Sequence, residues 1–382
     1  MFLTDPISIG LTLGFQSRQF SCDLYCRQAR KTVKGVVLNA LVASNLAMDR
    51  IVGCNPLAEK ISVDYAVSLI KQDPSANMSR RIVPKNHLGS KTLTTENLMQ
   101  INKAVITAAG PGQTSLPLQR LVDRDGCEKS ALEMIVEEVD AAGIESVGIV
   151  IRPGDEDAYR RAAGKHVERL CFIPQAEPKG YGDAILRARA FTGSDSFLHL
   201  VGDHLYLSRI EARCAEQLIR IATEEACPVS AVQATRESML PYFGTIAGSR
   251  LPRHDRLYEV KRVVEKPTPT QAEQDLTVSG FRSGVYLCFF GMHVLTDSVM
   301  NVLEEFAKRY DRPVTLSEAM SEVASRERYL AYEIQGTRYN MGVKYGLLNT
   351  QLALSLSGVD RDRVLTEMVE LLAHQQNITT SA

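Results

Sequence analysis

Three short stretches of this sequence combine residue types that could manage phosphate and charge. Ala108-Ala109-Gly110-Pro111-Gly112-Gln113 closes an apolar run with two glycines. Without a Cβ in the way, backbone N–H groups there can approach a phosphate or a nucleobase edge. The stretch lacks the Gly-Lys-Ser/Thr of a Walker A loop and the triple-glycine spacing of a dinucleotide fingerprint, so alone it reads equally well as an ordinary turn. Val201-Gly202-Asp203-His204 sets a carboxylate behind a glycine at the end of a second apolar run. A hard cation such as Mg²⁺ could be held there against phosphate oxygens. The competing reading is a turn aspartate capping a helix that begins near Ser208, with His204 a structural neighbour rather than a base. Val264-Glu265-Lys266-Pro267 ends a third run in adjacent opposite charges, suited to a sugar hydroxyl on the carboxylate and a phosphate on the ammonium. The plainer alternative is an exposed ion pair worth at most ~1 kcal/mol.

Such residues need a scaffold, and the pattern from Lys103 onward supplies one. Residues 104–108, 147–151, 170–173 and 197–201 are short apolar runs that predict strands, while 130–142, 155–163 and 182–190 carry helical spacing. Near-continuous apolar strands joined by crossover helices predict a parallel sheet covered on both faces, with ligands at the strands' carboxyl ends. Past Pro228 the expected strands are 229–234, 242–246, 258–264, 285–290 and 329–334, with an antiparallel flavour. Helices are expected over 293–308, 315–325, 344–355 and 361–373. The predicted fold is therefore α/β, a doubly wound, mixed but mostly parallel Rossmann-like sheet preceded by a helical N-terminal extension. Three divisions follow: an extension and linker over 1–102, the sheet domain over 103–357, and a C-terminal helix and tail over 358–382. Within the first, 36–51 and 57–70 have amphipathic helical spacing, and 73–98, broken by Pro74 and Pro84, reads as a linker.

Composition narrows the partners. Hydrophobic residues at 45% and charged residues at 23% are ordinary globular values, which argues against a disordered or coiled-coil chain. Lys and Arg number 44 against 45 Asp and Glu, so bulk charge gives no reason to expect nucleic acid or a membrane surface. No apolar run reaches the ~20 residues that span a bilayer. Asp5 and Asp23 interrupt the first thirty residues, which lack the apolar block of a secretory signal, and a cytoplasmic location is expected. Of eight cysteines only Cys22 and Cys26 lie close together, so a four-ligand zinc site is not indicated.

Taken in order, the motifs resemble the sugar-1-phosphate nucleotidylyltransferases (nucleotide-sugar pyrophosphorylases), and within them the bacterial UTP–glucose-1-phosphate uridylyltransferases. The resemblance covers roughly 103–357. It rests on the glycine loop; on Gln175-Ala176-Glu177-Pro178-Lys179-Gly180-Tyr181-Gly182 for that family's Gln-x-x-Pro-x-Gly-x-Gly; and on Gly202-Asp203. Tyr242-Phe243-Gly244, Val264-Glu265-Lys266-Pro267, the helix start at Val314-Thr315-Leu316 and Arg338-Tyr339-Asn340-Met341-Gly342-Val343-Lys344-Tyr345-Gly346 then follow in the family's order. The resemblance implies a nucleotidyltransferase that joins a nucleoside triphosphate, UTP in the first instance, to a sugar 1-phosphate, in the first instance glucose 1-phosphate. UDP-glucose and pyrophosphate would be the products, with Mg²⁺ as cofactor. It assigns Ala109, Gly110, Gly112, Gln113, Gln175 and Gly180 to the nucleotide, and Gly244, Glu265 and Gly284 to the sugar. Asp203 and Asn340 would bind the metal, and Asp203 and Lys266 would serve catalysis. It gives no role to nucleic acid or membrane and leaves room for a homo-oligomer.

Three departures stand out. Thr114 replaces the loop arginine that contacts the leaving pyrophosphate, Gln113 taking the preceding threonine position. The stretch 118–128 is shorter than the family's Pro-Lys segment, which leaves Arg120, Arg124 and Lys129 as candidates for a second basic group. Asn340 stands for the second metal-binding aspartate, removing a charge that a hard dication prefers. These changes motivate an alternative, a catalytically impaired nucleotide-sugar-binding regulator or scaffold. A glycosyltransferase is less well supported, because Asp203-His204-Leu205 lacks the Asp-x-Asp those enzymes place after a strand.

Overall fold

The computed structural model describes residues 99–379, with side chains as far as His374. The helices expected over 36–51 and 57–70 and the linker over 73–98 lie outside the described residues. The first half runs β1 (Lys103–Thr107), a hairpin of β2 (Arg120–Val122) and β3 (Glu128–Ser130), α1 (Ala131–Ala141), β4 (Ser146–Ile151), α2 (Glu156–Ala162), β5 (Leu170–Pro174), α3 (Tyr181–Arg187), α4 (Arg189–Thr192) and β6 (Phe197–Val201). Next come β7 (His204–Ser208), α5 (Cys214–Glu225), β8 (Val229–Arg236), β9 (Gly244–Arg250), β10 (Leu257–Glu265), α6 (Pro269–Asp275) and β11 (Val285–Leu295). The chain closes with α7 (Asp297–Arg309), α8 (Leu316–Arg326), β12 (Leu330–Glu333), β13 (Gly336–Asn340), α9 (Gly346–Leu356) and α10 (Arg361–Thr379).

Nine strands form one sheet in the order β5-β4-β1-β6-β11-β8-β12-β10-β9. In β1, Ala104 and Ile106 feed one hydrophobic layer while Val105 feeds the other, and all three are fully buried. In β4, Val147 and Ile149 divide from Val150 in the same way. Burial on both faces is why these runs are apolar without alternation. Helix α1 covers one face with Leu132, Ile135, Val136 and Val139, and starts at a capping box: Ser130 Oγ accepts the Glu133 N–H at 2.9 Å, and Glu133 Oε2 accepts the Ser130 N–H at 2.9 Å.

The sheet is less parallel than the sequence suggests. Pairs β5–β4, β4–β1, β1–β6 and β8–β12 are parallel, whereas β6–β11, β11–β8, β12–β10 and β10–β9 are antiparallel. The causes are β10, which runs antiparallel between β12 and β9, and β11, which runs antiparallel between β6 and β8. The β11 sequence is apolar on both faces, and Gly291, at φ +88°, absorbs a register shift between Phe289 and His293. The strand therefore continues to Leu295, and the helix expected from 293 begins at Asp297. Strand β9 starts at Gly244 rather than 242, because Glu237–Tyr242 forms a tight helical turn around Pro241. The largest difference bears on the site: no helix begins near Ser208 for Asp203 to cap, and 204–208 is strand β7, paired with β13 in a two-stranded ribbon that sets His204 opposite Asn340. Among the described residues no helix is long and apolar enough to cross a membrane.

Candidate active site

A cleft of about 720 Å³ opens at the carboxyl ends of β1, β5 and β6 and is closed by the ends of β10 and β13. It gathers Ala109, Gly110, Gly112, Gln113, Gln175, Gly180, Asp203, Glu265, Lys266 and Asn340. Gly244 and Gly284 do not line it. Gly244 is packed beneath one wall, where a Cβ would come within 2.6 Å of Phe289 and of Ser317 Oγ. Gly284 takes φ +76° in the turn before β11, where an added Cβ would meet nothing within 4 Å. Thr114 also stays out of the lining, its carbonyl accepting the Tyr159 hydroxyl at 2.8 Å.

The floor is a buried carboxylate. Asp203 Oδ1 lies 2.7 Å from His204 Nδ1, and Oδ2 accepts Gln113 Nε2 at 2.7 Å. Burial alone would raise this carboxyl, but His204, the residue's own backbone amide and the Lys266 ammonium outweigh it and hold Asp203 below the usual carboxylate range. It is therefore ionised at neutral pH. Gln113 reaches it by folding back over Gly110, where any Cβ would collide with the amide oxygen, so the first loop glycine is needed for that approach. Asn340 is fixed from the other side: its Oδ1 accepts the Gly342 N–H at 2.8 Å, and the Met341 N–H donates to Asp203's carbonyl at 2.9 Å. A Cβ at Gly342 would stand 3.3 Å from Asn340 Oδ1 and 3.6 Å from Asp203 Oδ2, so both oxygens border the same spot.

The rims are built differently. Gln175 is buried at the end of β5, its amide donating to Asp183 Oδ2 at 2.7 Å and the Gly180 carbonyl at 3.3 Å. Gly180 enters α3 at φ +104°, a conformation that disfavours any side chain, with Pro313 only 2.9 Å from where a Cβ would stand. Across the cleft Glu265 accepts the Ser317 hydroxyl at 2.5 Å. Lys266 Nζ stands 3.9 Å from Glu265 Oε1 with both groups solvated, a weak pairing that leaves the ammonium available. Lys266 itself sits at φ +47°, unusual for a residue with a Cβ, and its N–H is held by the Phe243 carbonyl at 3.2 Å.

Behind the floor, His199 Nε2 lies 3.2 Å from Thr107 Oγ1 and its Nδ1 3.5 Å from the Tyr181 hydroxyl. Complete burial, reinforced by His293, pushes the His199 imidazole well below its ordinary pKa, so it is a neutral strut. Sequence reasoning set His204 aside and gave Lys344 no role, yet both line the cleft. The signal for Lys344 was its place in the 338–346 motif. The proposed basic substitutes are elsewhere. Arg120 pairs with Glu128 across the β2–β3 hairpin, Arg124 lines a second cavity, and Lys129 is clamped between Asp123 at 2.7 Å and Glu137 at 2.8 Å.

One carboxylate and one amide oxygen suit Mg²⁺, which takes one or two protein carboxylates and completes its shell with water and substrate phosphates. Among the described residues no group of three or more His, Cys, Asp or Glu could enclose a metal by itself. The donor set thus fits a hard ion shared with a phosphate.

The nucleotidyl transferase family model matches residues 103–340, more than half of the chain and every strand whose end borders the cleft. The chain belongs to the nucleotidyl transferase family. This nucleotidyl transferase is 28% identical over 284 residues to the UTP–glucose-1-phosphate uridylyltransferase of Streptococcus pneumoniae, covering 67% of the chain and 91% of the relative. It is likewise 28% identical to the enzyme of the same name from Staphylococcus haemolyticus, over 68% of the chain and 94% of the relative. Its fold matches that of a UDP-glucose pyrophosphorylase solved with UDP-glucose, at TM-score 0.55 and 24% identity over 66% of the chain and 98% of that protein. The resemblance seen in the motifs is borne out, and the transferase is an enzyme of the uridylyltransferase-like kind.

Proposed function

We propose that the chain makes a nucleotide sugar, with UTP and glucose 1-phosphate as substrates and UDP-glucose and pyrophosphate as products. The carrying observation is the ionised Asp203 beside Asn340, set between a glycine loop on one rim and Glu265 with Lys266 on the other. That layout separates two anions and aims them at one point. Support for the substrates comes from the names of the relatives. The unit that performs the reaction is 103–357, with 1–102 and 358–382 as accessory segments.

In this reading a phosphate oxygen of the sugar 1-phosphate attacks the α-phosphorus in line. The bond to the bridging oxygen breaks, and pyrophosphate leaves with the electron pair. No protein nucleophile is required, so the chain's work is positioning and charge neutralisation. Ala109, Gly110 and Gly112 present backbone to the nucleotide, while Gln175 and Gly180 face its base. Lys266 neutralises the sugar phosphate, and Glu265, steadied by Ser317, takes a sugar hydroxyl. Gly244 and Gly284 would act through the backbone that shapes that wall. Asp203 and Asn340 would hold Mg²⁺, which when bound lowers the charge of the phosphates. Gln113 takes one lone pair of Asp203 Oδ2, and the second remains for the ion. Purified protein with UTP, glucose 1-phosphate and Mg²⁺ should release pyrophosphate. Silence with a panel of nucleotides and hexose 1-phosphates would sink the proposal, and binding of UDP-glucose without turnover would favour the regulator reading that Thr114 and Asn340 motivate.

A further inference from the structure

The reading above leaves the β- and γ-phosphates without a cation, because the loop arginine of the family is Thr114 here. The cleft's lining contains two ammonium groups, Lys266 and Lys344, against two carboxylates, Asp203 and Glu265. Without Lys344 the lining would be net negative while receiving two polyanions, which opposes their approach. The other basic residues nearby do not line the cleft: Lys179 pairs with Glu177 at 2.9 Å, and Arg152 Nε donates to the Ala109 carbonyl at 3.3 Å. Among the described residues Lys344 forms no ion pair within 4 Å, and its ammonium lies 5.2 Å from the Tyr345 ring centre at the solvent-facing rim.

The turn that carries it is rigid. The Gly346 N–H bonds to the Val343 carbonyl at 2.8 Å, and Tyr345 is held at φ +62° despite its side chain. Gly346 packs on the Asn340 carbonyl with no room for a Cβ. The same turn is tied to Asp203 through Met341 and touches the glycine-loop segment, since Leu116 lies 3.3 Å from where a Cβ on Gly342 would be. Lys344 thus lines the cleft from a turn tied to the Asp203–Asn340 floor and packed beside the segment that follows the glycine loop.

We infer that Lys344 is the residue that grips the terminal phosphates of the nucleoside triphosphate and the departing pyrophosphate, in place of the missing loop arginine. The inference rests on the nucleotidyltransferase reading and adds a residue to it. Lys344→Met in the full chain removes the charge and keeps most of the stem, and Lys344→Arg restores a cation. Titrating magnesium pyrophosphate, UTP and UDP-glucose by calorimetry separates the ends of the ligand, because UDP-glucose lacks the terminal phosphates. Lys344→Met should weaken pyrophosphate and UTP about ten- to a hundredfold, the worth of one charge-assisted contact, while UDP-glucose stays within about twofold. In turnover, KM for UTP should rise while KM for glucose 1-phosphate holds, and Lys344→Arg should recover most of the loss. Equal weakening of all three ligands, or of none, overturns the assignment. Wild-type protein that binds no nucleotide or pyrophosphate would instead overturn the enzymatic reading beneath it.

Discussion

Strand β7 borders two cavities whose polar residues look alike and behave oppositely. At its start, Asp203 and His204 face the cleft; further on, Leu205 to Ser208 help line a second cavity of about 460 Å³ with Asp123, Glu137 and Glu138. Both contain a carboxylate that is almost fully buried. Glu138 Oε1 accepts the Ala215 N–H at 2.8 Å at the start of α5, with Arg213 at 3.7 Å. Burial dominates there and raises its pKa despite those partners, whereas Asp203 is depressed. The lysines divide the same way, Lys129 clamped by two carboxylates and Lys344 without one among the described residues. A carboxylate held by backbone amides cannot exchange its partners. One held by Gln113 and His204 can, because side chains swing. Exchangeable partners, more than burial or sign of charge, separate the reactive cleft from the structural cavity.

The largest test is Asp203→Asn. It keeps the shape and removes the charge that phosphate chemistry needs, and should lower pyrophosphate release by about a thousandfold or more while the circular dichroism spectrum stays near wild type. Loss below about tenfold would remove Asp203 from the machinery and break the comparison. Lys129→Met is the counterpart beside the second cavity, whose lining includes Asp123 and Glu137. Leaving Asp123 and Glu137 without their shared partner should cost about 1–3 kcal/mol, seen as a Tm lower by several degrees, with kcat/KM per folded molecule unchanged within about twofold. A selective loss of activity would mean that the second cavity speaks to the cleft.

How far the sequence could be read follows the same division. The strands of the first half were legible because each is buried on both faces, so its apolar run has no competing explanation. Glycine–carboxylate and carboxylate–lysine pairs at strand ends pointed to Asp203, Glu265 and Lys266, which the fold does bring into one cleft. The β7–β13 ribbon was not legible. Its strands are 128 positions apart from Ser208 to Gly336, and His204-Leu205-Tyr206-Leu207-Ser208 is too short to announce a partner that distant. Gly284 and Gly244 were assigned from a motif, but a glycine carries no side chain whose direction the pattern could reveal, and neither reaches the cleft surface. The extra length of β11 depended on Gly291 bending the backbone, which reads in sequence as a strand end.

The smallest effect is the most direct measure of the two carboxylates. Glu138 has a folded-state pKa raised above its ordinary value of 4.5, so its contribution to stability is present at acidic pH and is lost as pH climbs through that raised value. Asp203 is depressed from 3.8, so its contribution is present at neutral pH and is lost as pH falls through the depressed value. Glutamine at 138 cannot ionise but still offers an oxygen to the start of α5. Glu138→Gln should therefore melt like wild type near pH 4 and gain on it by about 2–4 °C as pH rises toward 8, while Asp203→Asn should run the other way, losing ground at neutral pH and converging in acid. Melting curves of the three proteins from below the depressed Asp203 value up to pH 8 read both slopes at once. Parallel slopes would mean that Glu138 is ionised and satisfied in the folded protein, and the contrast between an unexchangeable and an exchangeable carboxylate would then rest on the partners' mobility alone.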